Sequence, residues 1–182
     1  MTRLRDFAMV AVLCAFPGFA AEDVATAVEG TVKKIDSGAK TVVIATKDGT
    51  EHTIHYVGRT TVHGSEAVEK GGKETLHGLK EGSEVVVHYS AKGTVKTADE
   101  IDRVGEGGLK VTEGTAKAID RGAKTIVVKT ADGTEETFRL TDRAARTVGK
   151  DVAAGTEKAG KVTVYYTEDA GHKIAHFFKG TS

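Results

Sequence analysis

Tryptophan is absent from this chain, and the single Cys14, the single Pro17 and both methionines, Met1 and Met9, all fall within the first 21 residues. From residue 22 onward there is no sulfur, so a disulfide framework and thiol chemistry are both excluded there. Aromatic residues are scarce as well. Beyond the N-terminal segment they are Tyr56, Tyr89, Phe138, Tyr165, Tyr166, Phe177 and Phe178, too few to fill a core and also line a sugar-binding cleft or a base-stacking platform. Charge of one sign is missing too. The chain carries 26 Lys/Arg against 26 Asp/Glu, with 11 against 14 over residues 22–105 and 13 against 11 over residues 106–182. Neither half has the basic field that binding a phosphate backbone requires, so no nucleic-acid partner is expected.

The N-terminus has a distinct pattern. Arg3 and Arg5 precede an apolar run from Phe7 to Phe16, and Pro17-Gly18-Phe19-Ala20-Ala21 then offers small residues ahead of Glu22-Asp23. This predicts a secretory signal peptide over residues 1–21, cleaved after Ala20 or Ala21, and hence a periplasmic or secreted protein. The run is shorter than the roughly 18–20 residues of a spanning helix and no second one follows, so no membrane span is expected after cleavage.

The rest of the chain repeats itself. Glu29-Gly30-Thr31-Val32-Lys33-Lys34-Ile35-Asp36-Ser37-Gly38-Ala39-Lys40-Thr41 returns as Glu113-Gly114-Thr115-Ala116-Lys117-Ala118-Ile119-Asp120-Arg121-Gly122-Ala123-Lys124-Thr125. The correspondence resumes where Glu84-Val85-Val86-Val87-His88-Tyr89 matches Lys161-Val162-Thr163-Val164-Tyr165-Tyr166. We read a tandem duplication, one unit over 22–105 and one over 106–182, with the boundary at Gly105–Gly108. Asp48-Gly49 and Asp132-Gly133 are hairpin signals between β-rich runs. Alternation places Val42, Ile44, Ile54, Tyr56, Val85, Val87 and Tyr89, with Ile126, Val128, Phe138, Leu140, Val162, Val164 and Tyr166, on inward faces. In the last strand of each unit, Ala98 with Ile101 and Ala175 with Phe178 share a face only if a bulge intervenes. Ser65–Glu69 and Thr141–Ala145 carry N-cap signals for short helices.

Three strands, a longer connection and a two-strand hairpin is the order of an OB-like barrel. The fold class expected is therefore all-β: two tandem five-stranded small β-barrels, OB-like, each with a longer connection between its third and fourth strands. The run Gly30-Thr31-Val32, Ile35-Asp36, Thr41-Val42-Val43, Asp48-Gly49, Gly82-Ser83-Glu84-Val85-Val86-Val87 and Ala98-x-x-Ile101 resembles small secreted bacterial β-barrel domains of unknown function. That resemblance implies a fold and an export route, and supplies no activity and no site residues.

Histidines are the first candidates for chemistry. His172 and His176 are close in sequence, but on a strand four residues span about 13 Å at roughly 3.3 Å per residue, so one ion is not shared between them. His52 and His55 point to opposite faces. Across the duplication His52 aligns with Glu136, His55 with Arg139, His63 with Thr147, His88 with Tyr165 and His176 with Asp99. Those exchanges suggest solvent-facing positions and no metal site. Gly155-Thr156-Glu157-Lys158-Ala159-Gly160-Lys161-Val162 has the spacing of a phosphate loop, yet Val162 stands where magnesium needs a hydroxyl and a strand follows instead of a helix. Gly64-Ser65-Glu66 lacks the flanking glycine of a hydrolase elbow. Asp36, Asp120, Asp48 and Asp132 sit in turns and bond the local backbone. Tyr165 and Phe177 have outward parity and mark either a contact surface or packing of one unit on the other. The expectation is a non-catalytic exported module, with no cofactor, that binds an unknown protein or small-molecule ligand in the cell envelope. The alternative is an envelope metal-binding protein using histidines from several strands.

Overall fold

The computed structural model describes residues 24–64, 76, 78–120, 122–151 and 160–180. The expected signal peptide, the candidate helix at Ser65–Glu69 and residues 155–159 of the phosphate-loop match lie outside these. Strands β1 (Val24–Asp36), β2 (Thr41–Ala45), β3 (Glu51–His55), β4 (Thr61–His63), β5 (Glu84–Lys92) and β6 (Val95–Arg103) form one sheet in the order β3-β2-β1-β5-β6-β4. A parallel contact of His55 with Thr97 also joins β3 to β6. Strands β7 (Lys110–Asp120), β8 (Thr125–Thr130), β9 (Glu135–Leu140), β10 (Lys161–Asp169) and β11 (His172–Gly180) close into a five-stranded barrel. The barrel closes through a parallel pairing of Lys173–Ala175 with Phe138–Leu140.

The all-β expectation holds, with one addition. The N-terminal sheet has a sixth strand, β4, laid parallel to β6 with Thr61 opposite Glu100 and His63 opposite Asp102. Its three residues have a single apolar member, so alternation gives no signal for it.

Every residue expected to face inward is buried. In the N-terminal sheet these residues form one cluster with Val28, Val32, Leu76 and Leu79, and in the barrel the matching set packs with Ala116 and Ala144. Phe138, Ile44, Ile54 and Ile126 have no exposed surface, and each such side chain contributes roughly 1.5–3 kcal/mol relative to an exposed one. The expected bulges are present: Asp99 is the extra residue on β6 between the pairs His88–Glu100 and Tyr89–Ala98. His176 is the extra residue on β11, between Tyr165–Phe177 and Tyr166–Ala175.

The turns behave as their side chains require. Asp36 Oδ1 accepts the Ala39 N–H and Asp120 Oδ1 the Ala123 N–H, both at 2.8 Å. Asp48 and Asp132 accept the Thr50 and Thr134 N–H groups, each at 3.0 Å. Thr141 caps helix α1 (Asp142–Asp151), its Oγ1 accepting the Ala144 N–H at 3.1 Å. The helix fills the longer connection before β10, packs on β11 and also touches β1 of the other sheet.

The two sheets meet face to face. Val86 of β5, Tyr165 of β10, Phe177 of β11 and Leu109 from the connecting turn make a third apolar cluster. Tyr165 and Phe177 thus spend their outward parity on this seam, their rings 5.6 Å apart. Glu29 of β1 pairs with Lys179 of β11 beside them. Burial, together with that carboxylate, pushes the Tyr165 phenol well above its ordinary range.

Candidate metal centre

At the edge of this seam, the register of β4 on β6 assembles a polar cluster. Residues two apart on a strand share a face, so Glu100 and Asp102 point the same way, and the parallel pairing puts His63 directly opposite Asp102. His63 Nδ1 lies 2.8 Å from Glu100 Oε1 and 2.9 Å from Asp102 Oδ1. Exposure falls steeply across the three: 54% for the His63 side chain, 13% for Glu100 and 1% for Asp102. One imidazole nitrogen therefore serves two carboxylates, one of them fully withdrawn from water.

The two carboxylates differ on their other side. Arg143 of α1 binds Glu100 Oε2. Asp102 Oδ2 is buried and has no hydrogen-bond partner among the described residues; His88 Nε2 and His176 Nδ1 both stand 3.9 Å from it. His88 is flanked by the Phe177 ring, edge-on at 6.3 Å.

Electrostatics follow from this burial. Desolvation, reinforced by the neighbouring Glu100 charge, raises Asp102 to about 6 in spite of the His63 bond. Desolvation lowers His88 to about 4, and it lowers His176 as well. Near neutral pH His88 and His176 are thus neutral imidazoles beside the buried Asp102, the state in which such rings ligate a cation.

The donor set fits a metal ion. One ligand atom each from His63, Glu100 and Asp102 lies within 4.8 Å of the other two. Imidazole nitrogen with carboxylate oxygen suits the borderline divalent ions zinc, nickel, cobalt and copper(II), whereas soft monovalent ions favour sulfur ligands, which residues 22–182 do not contain. A cavity of about 60 Å³ opens beside the trio, bounded by His63, Asp102, Thr167 and His176. It is large enough for an ion with a bound water. Gly64 lets the connecting turn approach closely here, because a Cβ at that position would stand 2.5 Å from Gly108 Cα.

The seven histidines do not share one environment. His55 and His172 are exposed, as expected, and His172 lies at the hairpin end of β11, apart from the seam. His52 is half-buried with its Nδ1 2.9 Å from Lys96 Nζ, and His77 lies outside the described residues. His88 and His176 are corrections: His88 is 4% exposed and His176 is largely covered, its Nδ1 facing Asp102, so neither is solvent-facing. The comparison with Tyr165 suggested exposure because a polar residue replaced an aromatic one, yet Tyr165 is 4% exposed as well. The two positions correspond because both face the seam. Lys161 and Val162 of the phosphate-loop match belong to β10.

No family model matches the chain, and no curated protein matches it. Among solved structures, a silver-loaded form, Ag(I)CusF, is similar at 17% identity, with 43% of this chain and 96% of that chain covered and a TM-score of 0.33. Apo-CusF from Escherichia coli is similar at 16% identity, with 46% and 90% covered and a TM-score of 0.33. The Drosophila Unr CSD456 structure is similar at 13% identity over 86% of this chain and 62% of that one, with a TM-score of 0.33. Likeness at this level identifies neither ligand nor partner.

Proposed function

We propose that this chain is an exported, non-catalytic binding module whose ligand is a borderline divalent metal cation held by His63, Glu100 and Asp102. One observation carries the reading: a single imidazole nitrogen sits 2.8 and 2.9 Å from two carboxylates while the second oxygen of the buried one has no partner among the described residues. A buried carboxylate left partly unsatisfied is costly, and a divalent cation beside His63 supplies the charge the cluster lacks. Export is supported by the basic, apolar and small-residue order of the first 21 residues. Mass spectrometry of the mature protein tests it, with a mass beginning at Ala21 or Glu22 expected and a retained Met1 contradicting it.

Metal binding is tested by melting the EDTA-stripped protein with and without zinc. A ligand present at a hundred times its dissociation constant adds about 2.7 kcal/mol, which for a chain of this size raises the melting temperature by about 5–10 °C. His63→Ala abolishes the rise. Equal melting temperatures in EDTA and zinc would remove the reading.

A further inference from the structure

We infer that the cation is held across the boundary between the two sheets, with His176 of β11 as the ligand contributed by the C-terminal barrel. This rests on the metal reading above and adds to it a residue from the other side of the seam.

The argument starts at Asp102. Its Oδ1 is occupied by His63, and its Oδ2 points into the seam with no partner among the described residues. His176 Nδ1 faces that oxygen at 3.9 Å. This is too long for a hydrogen bond, but it is a distance that two metal–ligand bonds of about 2.0–2.2 Å each span. The ring is held in that attitude from behind, since His176 Nε2 lies 3.0 Å from Thr167 Oγ1. A hydrogen bond to the second nitrogen is how metal-binding imidazoles are commonly oriented.

The backbone sets the direction of the ring. His176 is the extra residue of the β11 bulge, and bulges re-aim side chains that regular alternation would send elsewhere. Here the bulge turns both His176 and Phe177 toward the seam while Ala175 and Phe178 stay in the core. His88 stands across Asp102, its Nε2 3.9 Å from the same Oδ2. The cavity beside the trio is lined by His63 and Asp102 from one sheet and by Thr167 and His176 from the other. Arg143 of the barrel's helix holds Glu100 Oε2 and leaves Oε1 toward the site. Glu100 is therefore oriented from the C-terminal barrel, and Asp102 from β4. His176 stands outside the trio of closest ligand atoms, so coordination draws the β11 bulge toward β6 and tightens the seam.

The test is a zinc titration of the full-length mature protein, read by the ring-nitrogen NMR signals of its histidines and by calorimetry. Zinc is expected to shift His63 and His176 together, with the exposed His55 and His172 unmoved. His176→Ala is expected to weaken zinc about tenfold or more, the scale on which lost ligand support acts, and His172→Ala to leave affinity unchanged. Shifts confined to His63, with His176→Ala binding zinc like the wild type, would overturn the inference and leave the metal site of the N-terminal sheet standing. No zinc-dependent shift or heat at all would remove both. The ring signals of the wild type decide the matter even if His176→Ala fails to fold.

Discussion

The N-terminal sheet and the C-terminal barrel have corresponding but separate interiors and differ on one outer face. Ile54 and Phe138, Val87 and Val164, and Ala98 and Ala175 occupy matching inward positions, and all are buried. Lys40 and Lys124 both adopt a φ of 52°. On the face that meets the seam, the same register positions carry different chemistry. His88 opposite Glu100 in one corresponds to Tyr165 opposite Phe177 in the other. Val86 opposite Asp102 corresponds to Thr163 opposite Lys179. The interior positions stay apolar in both halves, whereas the outer face of one half is polar and that of the other aromatic. The candidate site lies where the two halves diverge.

The largest expected effect breaks these corresponding interiors. Phe138→Ala removes a fully buried ring and is expected to cost about 3–5 kcal/mol, and Ile54→Ala, at the matching position, about 2–5 kcal/mol. Chemical denaturation measures both, and a loss under about 1 kcal/mol at either would contradict the core assignment. Next is the seam: Phe177→Ala is expected to destabilise by about 3 kcal/mol and to weaken zinc binding. An unchanged zinc affinity would show that the site does not depend on the seam.

The matching geometry of Gly30 and Gly114 gives a third, smaller test. A Cβ would stand 2.3 Å from Ala45 O in the first and 2.5 Å from Lys129 O in the second. Alanine at either position is expected to cost about 1–3 kcal/mol, as overpacking does, and a stability loss in one half alone would break the comparison.

The smallest effect concerns the hairpins. Asp48 and Asp132 are both held below the usual carboxylate range, first by the hydroxyls of Thr46 and Thr130 and then by the backbone N–H groups of Thr50 and Thr134. A depressed folded pKa stabilises above the unfolded value of 3.8, and that contribution is lost as pH falls through the lower folded value. Asp48→Asn and Asp132→Asn are each expected to flatten the acid limb of the stability curve below about pH 4 slightly and equally. An effect of either variant confined to neutral pH would contradict the hairpin role.

Much of the fold is legible in the sequence because its core obeys a period of two. The interruption at Ala98-x-x-Ile101 and Ala175-x-x-Phe178 marks both bulges by spacing alone. The site is less legible. β4 is too short for alternation, and His63 and Asp102 are 39 residues apart, joined only by a parallel pairing that no local pattern announces. Aligning the two halves misleads at His88, because a residue exchange at a buried seam looks like an exchange at a solvent face. The signal that points the right way is the outward parity of Tyr165 and Phe177: an aromatic face turned away from its own core needs a partner, and the histidines and carboxylates of β5 and β6 lie on it.

Anomalous diffraction from zinc-soaked crystals, recorded at the zinc edge, would locate the cation outright. A site built on β4 and β6 requires one strong peak about 2.0–2.2 Å from His63 Nδ1 and from the carboxylates of Glu100 and Asp102. A peak confined to exposed His172 or His55, or no peak at all, would contradict it.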